Sequence, residues 1–173
     1  EAVAAARDNG CNQLVLLHCI SSYPAPAEQS NLLTIPDLAK SFDLIAGLSD
    51  HTMGTSVAVA SVALGANLIE KHVTLSRDDK GPDSEFSLEP QELKQLCEDS
   101  KTAWRSLGKV DYSLKQVELE SVKFRRSLYV VENIHQGEIL TKKNVRSIRP
   151  GYGLSPKHLK DVIGKRAVKS LKK

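Results

Sequence analysis

His51 and His72 are the two side chains of this sequence best suited to share a metal ion. Each follows a short apolar run, Leu44-Ile-Ala-Gly-Leu48 for the first and Asn67-Leu-Ile-Glu-Lys71 for the second. If the runs form consecutive parallel strands, they lie roughly 5 Å apart. Imidazoles rising from their ends could then reach one divalent ion, with water completing the shell. The same positions suit histidines held by loop backbone. His18 ends a third run, Gln13-Leu-Val-Leu-Leu17, and on spacing competes with the other two as a ligand. Glu70 lies two residues before His72 and so shares its face in a strand. A carboxylate there needs a partner. It could orient a ligand, hold a substrate hydroxyl or pair with a Lys or Arg. Asp83, in Gly81-Pro-Asp83, offers a loop carboxylate that could bind a sugar hydroxyl or simply form the turn.

The elements that must position these groups follow a repeat. Residues 1–9 read as the end of a helix stopped by Gly10. The run at 13–17 reads as a strand buried on both faces, followed by a polar loop from His18 to Pro24. A helix is expected over 31–42, with its start blurred by Pro36, then a strand at 44–48, a small-residue helix over 55–64, and a strand at 67–71. Strand, polar loop and helix recurring in this way predict parallel βα units. In barrels of such units the chemistry sits at the C-terminal strand ends, and here those ends carry His18, Ser49, Asp50, His51, Glu70 and His72. A polar loop at 77–86 leads to a helix expected to start with Ser87 as N-cap and to reach Leu107. Residues 108–120 are polar and read as a linker. From Leu128 the style changes to short strands, a Gly137-Glu138 turn, Thr141 as a helix cap, Ser155 capping a short helix, and a last strand after Gly164.

Composition bounds the answer. Of the 173 residues, 40% are hydrophobic and 26% charged, as in a globular protein. The longest apolar stretch, residues 57–64, is too short to span a bilayer. The three cysteines, Cys11, Cys19 and Cys97, show no paired spacing, which fits a reducing cytoplasm rather than a disulfide scaffold. The only Met is Met53, so a longer protein is expected upstream. The net charge of +3 is uneven. Residues 121–173 hold 14 Lys and Arg against 3 Asp and Glu, whereas residues 1–120 hold 10 against 18. A basic unit joined to an acidic one suggests different partners for each. Nucleic acid is disfavoured, because Phe124, Tyr129 and Tyr152 are too scattered to form a stacking surface.

Six segments occur together in order: Leu17-His-Cys-Ile-Ser-Ser-Tyr-Pro24, Gly47-Leu-Ser-Asp-His-Thr52, Ala63-Leu-Gly-Ala66, Ile69-Glu-Lys-His72, Gly81-Pro-Asp83 and Ser87-Leu-Glu-Pro90. In this order and spacing they resemble the sialic acid synthases. Phe124-Arg-Arg-Ser-Leu-Tyr-Val-Val131 through Arg149-Pro-Gly-Tyr-Gly153 resembles the antifreeze-like (SAF) domain of the same enzymes. The resemblance implies an α/β fold, the C-terminal portion of a (β/α)8 TIM barrel over 1–107, a linker at 108–122, and a small α+β SAF domain over 123–173 that stops short of its end. Within the group, Phe124 to Tyr129 and Val145-Arg-Ser-Ile-Arg-Pro150 look most like pseudaminic acid synthases. Gly81-Pro-Asp83 looks more like the N-acetylneuraminate and legionaminate synthases.

The resemblance also implies chemistry. Phosphoenolpyruvate would be condensed with an N-acylated amino sugar, with release of phosphate. His51 and His72 would be metal ligands, for Mn2+ foremost, or Mg2+ or Co2+. Ser21, Tyr23 and Ser49 would lie near phosphoenolpyruvate. Asp83 would contact the acyl sugar; with Glu70, taken from the strand pattern above, it is the catalytic candidate, since the family's essential glutamate lies on an earlier strand. Arg149 would reach across a domain-swapped homodimer to the sugar's N-acyl end, and His18 would have no ligand role. The family's phosphate-binding lysines lie on earlier strands, so the chain alone is expected to be inactive. A carbohydrate-binding SAF module without activity is the alternative from another class; such a module has no need of the His51/His72 pair.

Overall fold

A computed structural model describes all 173 residues of the chain. The chain divides into two compact units, Glu1–Lys109 and Val110–Lys173.

The first unit is built on a three-stranded parallel sheet in the order β1-β2-β3, with β1 at Val15–Cys19, β2 at Ile45–Asp50 and β3 at Ile69–Lys71. Helix α1 (Ala2–Asp8) precedes β1, α2 (Thr34–Phe42) joins β1 to β2, α3 (Ser56–Ala63) joins β2 to β3, and α4 (Pro90–Leu107) follows β3. Helix α2 buries Ile35 against Ala46 and Leu48 of β2, with Leu38 and Ala39 beside it. Pro36 sits in its first turn, where an N–H has no helical partner to lose. Helix α3 is made of small residues, so Ala58, Ser61 and Val62 can be buried, and Ser61 donates its hydroxyl to Ala58 O at 2.7 Å. Leu88, Ala58 and Leu96 then join α3 to α4.

Strand β2 is the centre of the sheet, and all its residues but Ile45 are buried. Gly47 is required there. A Cβ would run into the Leu68 carbonyl oxygen and come within 2.8 Å of a Leu17 methyl. Strand β1 departs from expectation. Its apolar run suggests burial on both faces, yet Val15 and Cys19 are exposed and the residues between them are only half-buried, because β1 is an edge strand with a neighbour on one side. His18, Cys19, Ser49 and Asp50 lie inside strands rather than on the loops beyond them.

Ser87 is not the N-cap of α4. That role falls to Glu89, whose carboxylate and that of Glu92 form a reciprocal capping box, with Pro90 at the first helical position. The Ser87 hydroxyl instead donates to Asp83 O at 2.6 Å.

In the second unit, β4 (Ser127–Val130) pairs antiparallel with β5 (Val145–Ile148) over a core of Ile134, Val145 and Ala167. Four departures from expectation are found. Residues 116–124, which run from the expected linker into the start of the expected SAF domain, form 3-10 turns, begun by Lys115 N donating to Glu118 Oε2 at 2.8 Å. Thr141 starts a turn instead of a helix, its hydroxyl accepting from Asn144 N at 3.4 Å. Ser155 stands at the N-cap of a short 3-10 turn, Pro156–His158, that runs into α5 (Leu159–Val162), as expected of its position, but its side chain makes no capping bond. After Gly164 the chain makes isolated antiparallel bridges, Ile139 with Arg166 and Ile134 with Leu171, in place of a strand. No helix is long and apolar enough to cross a membrane.

Candidate functional site

Register brings the candidate residues together. Cys19 lies opposite Ser49, and Ser49 opposite Glu70, so the three form a row across the sheet. His51 and His72 come two residues further along their chains, on the same face. Their ring centroids are 5.1 Å apart at 74°.

Each imidazole has an oxygen facing its Nδ1, within hydrogen-bond distance for His51. The Nδ1 of His51 is 2.9 Å from Ile20 O, and that of His72 is 3.5 Å from Asp83 Oδ2. Both contacts suit a protonated Nδ1, which leaves Nε2 of both rings as lone-pair donors. A backbone carbonyl behind one imidazole and a carboxylate behind the other is the arrangement that orients histidine ligands. The donor set therefore fits a divalent ion bound by two Nε2 atoms, with the remaining positions left to water or substrate oxygens. No third His, Cys, Asp or Glu joins them in a metal-holding cluster.

The surroundings combine exposed and buried groups. Ser49 and His51 are buried. Ser49 donates to Glu70 Oε1 at 2.6 Å, so the carboxylate expected to need a partner has a hydroxyl rather than a Lys or Arg. Tyr23, half-exposed, lies over His51 with ring centroids 4.3 Å apart. Ser21 is exposed on the same loop, next to the Ile20 carbonyl that holds His51. His18 does not belong to this group. It points to the opposite face, where its Nε2 lies 2.6 Å from Ser30 O, as its alternation with Cys19 requires. Arg149 lies in the second unit and is exposed.

Three features of the site were not singled out from the sequence. Phe86 is buried, with its ring 5.0 Å from that of His72 and 5.8 Å from that of Tyr23. It stands three residues after Asp83, and an aromatic beside a Gly-Pro-Asp loop was the available signal. Cys19 places its sulfur 3.9 Å from His51 Nδ1, a position that strand alternation marks. Asp50 and Lys71 form a buried ion pair of 2.8 Å, legible only once the strand register is known.

The chain was compared with known proteins. Residues 1–112 match the NeuB family and residues 125–173 match the SAF domain. Pseudaminic acid synthase of Helicobacter pylori is 37% identical, covering 99% of this chain and 51% of its own length. N,N'-diacetyllegionaminic acid synthase of Campylobacter jejuni is 38% identical, covering 99% of this chain and 52% of its own length. Among solved structures, the N-acetylneuraminic acid synthetase of Leptospira borgpetersenii, in complex with citrate, superposes with a TM-score of 0.62 at 35% identity, covering 72% of this chain and 43% of that one. The chain spans about half the length of the relatives it matches.

Proposed function

The chain belongs to the NeuB family and carries a SAF domain, and from that premise we propose that it is the C-terminal part of a (β/α)8-barrel synthase that joins phosphoenolpyruvate to an N-acylated amino sugar. Water adds at C2 of phosphoenolpyruvate, C3 forms the new carbon–carbon bond to the sugar aldehyde, and phosphate leaves by C–O cleavage. The product is a nonulosonic acid, pseudaminic acid in our reading. Legionaminic acid is the second reading, supported by Gly81-Pro-Asp83 and by a relative of that activity at 38% identity, within the 37–40% of the pseudaminic acid synthases. The proposed compartment is the cytoplasm and the proposed assembly a domain-swapped homodimer.

One observation carries the proposal: His51, His72, the Ser49–Glu70 pair and Asp83 converge at the C-terminal ends of parallel strands. His51 and His72 would hold a divalent ion, Mn2+ in our reading, through their Nε2 atoms. Bound there, the ion supplies Lewis acidity toward the sugar aldehyde. The chain's own groups do the rest. Asp83 faces the His72 ring and offers its second oxygen to a sugar hydroxyl. Glu70, fixed by Ser49, presents an anionic acceptor beside the reacting centre. Tyr23 and Phe86 cover the imidazoles and limit the access of water. Ser21 offers a hydroxyl donor to phosphoenolpyruvate, whose anionic charge needs aligned donors and cations, while Ser49, its hydroxyl hydrogen committed to Glu70, would stand near it.

The test is phosphate release by the complete enzyme supplied with phosphoenolpyruvate and a panel of N-acylated amino sugars, with the product identified by mass spectrometry. Release that depends on the sugar and on His51 and His72 is expected. No release with any sugar of the panel overturns the proposal.

A further inference from the structure

Directly behind the two histidines, on the opposite face of the sheet, Asp50 and Lys71 meet at 2.8 Å with side chains 1% and 3% exposed. The register sets Asp50 opposite Lys71, and each immediately precedes one of the histidines. The pair also binds the backbone between them. Asp50 Oδ1 accepts from Thr52 N at 2.9 Å, and Lys71 Nζ donates to Thr52 O at 2.5 Å. The peptide groups on either side of Thr52 are thus gripped by one carboxylate and one ammonium, and these are tied to each other. Strand β3 has three residues and little ladder of its own with which to fix the position of His72 against His51.

A buried ion pair is poor evidence for stability, because desolvation offsets the attraction. What such a pair does supply is register, since a one-residue slip would set Asp50 against Glu70 or His72 and leave two charges unpaired in a buried place. We infer that Asp50 and Lys71 are positioning residues: they set the distance and relative tilt of the His51 and His72 imidazoles, and so the affinity of the site for a divalent ion. The inference rests on the reading of that site as a metal centre.

The experiment measures Mn2+ affinity of the complete enzyme by electron paramagnetic resonance, alongside its melting temperature. The wild type and His51→Ala come first. If the wild type binds no Mn2+ at a site that His51→Ala abolishes, the metal reading fails, whatever Asp50 and Lys71 do. Given that site, the neutral pair Asp50→Asn/Lys71→Met keeps volume and the Thr52 N acceptor but drops the grip on Thr52 O. It is expected to melt near the wild-type temperature and to bind Mn2+ about tenfold or more weakly, the size of loss typical when groups orienting metal ligands are removed. A folded double variant with affinity within about twofold of wild type overturns the inference, because a merely structural pair would move the melting temperature and not the affinity. Should the double variant not fold, Lys71→Arg decides. Its wider planar head displaces the pair without removing charge. A folded Lys71→Arg protein with weakened Mn2+ binding supports the inference, and unchanged binding overturns it.

Discussion

The Ser49 hydroxyl donates to Glu70 Oε1 at 2.6 Å across neighbouring strands, and this bond orients the one carboxylate that shares a face with both histidines. Glu70 is exposed while Ser49 is buried, so the serine anchors a carboxylate that stays accessible. Glu70→Gln keeps the shape and the acceptor but removes the charge. In the complete enzyme it is expected to lower kcat by about 10²-fold, the lower range for a group that handles a proton in the transition state, with a smaller change in the KM for phosphoenolpyruvate. Steady-state kinetics decide the matter. Equal activity of the Gln variant would remove Glu70 from the catalytic residues.

Chelation should silence the enzyme, and added Mn2+ should restore it. His51→Ala and His72→Ala each remove one of two protein ligands, so Mn2+ binding measured by calorimetry should fall below detection in both. His18→Ala should leave metal affinity unchanged, since that imidazole lies against Ser30 O on the other face. Loss of Mn2+ binding in His18→Ala with retention in His72→Ala would reverse the assignment.

Gly47→Ala tests the sheet itself. The added methyl meets the Leu68 carbonyl oxygen, a backbone atom that cannot swing aside, and a Leu17 methyl. Overpacking of this kind costs about 1–3 kcal/mol. Denaturant titration should show that loss, and a variant as stable as wild type would mean that β2 and β3 lie further apart than described.

How much of this was legible in the sequence depends on what each residue answers to. Apolar runs ending in polar residues mark β1, β2 and β3, and alternation puts Glu70 with His72 and Ser49 with His51, because both signals are local. The ion pair between Asp50 and Lys71 is not local. It depends on Leu48 lying opposite Ile69, and no spacing within either strand reveals that. Phe86 is likewise placed by the loop that carries Asp83, which has no periodicity to read. Ser87 carries the stronger cap signal in the sequence, yet the cap is Glu89, a less usual cap residue made effective by Glu92 three positions on. Thr141 has the chemistry of a cap and uses it on a turn, since hydroxyl-to-amide bonds serve turns and helices alike.

The loop carrying Arg149 is held by Ser127. This side chain is buried, donates to Pro150 O at 2.7 Å and accepts from Gly153 N at 3.0 Å. Gly151 and Gly153 allow the close approach, as a Cβ on the first would strike Val122 O and on the second would lie 2.8 Å from Leu128 O. Ser127→Ala leaves both backbone groups without their partner, at a cost of about 1–3 kcal/mol. If the loop presents Arg149 to substrate, Ser127→Ala should also raise the KM for the sugar in the complete enzyme while leaving that for phosphoenolpyruvate near wild type. A stability loss with both KM values unchanged would confine Ser127 to folding.

Arg149 itself should act on the partner's active site. It is exposed on a loop of the second unit, and the proposed homodimer exchanges these units. A planar guanidinium donates to an acyl carbonyl in fixed geometry, which a Lys ammonium does less well. Arg149→Ala should therefore raise the sugar KM far more than the KM for phosphoenolpyruvate, with a loss of about 1.5–3 kcal/mol, as for a hydrogen bond from a charged group. Complementation separates action in trans from action in cis. An Arg149→Ala subunit is mixed with a His51→Ala subunit, each inactive or weak alone. If Arg149 serves the partner, the heterodimer combines both defects in one site and leaves the other intact, and each heterodimer regains half of the wild-type activity. If Arg149 serves its own subunit, every site in the heterodimer keeps one defect, and activity stays at the level of the single variants. Heterodimer formation is checked by native mass spectrometry, so a silent mixture that contains heterodimers rejects the exchange of units.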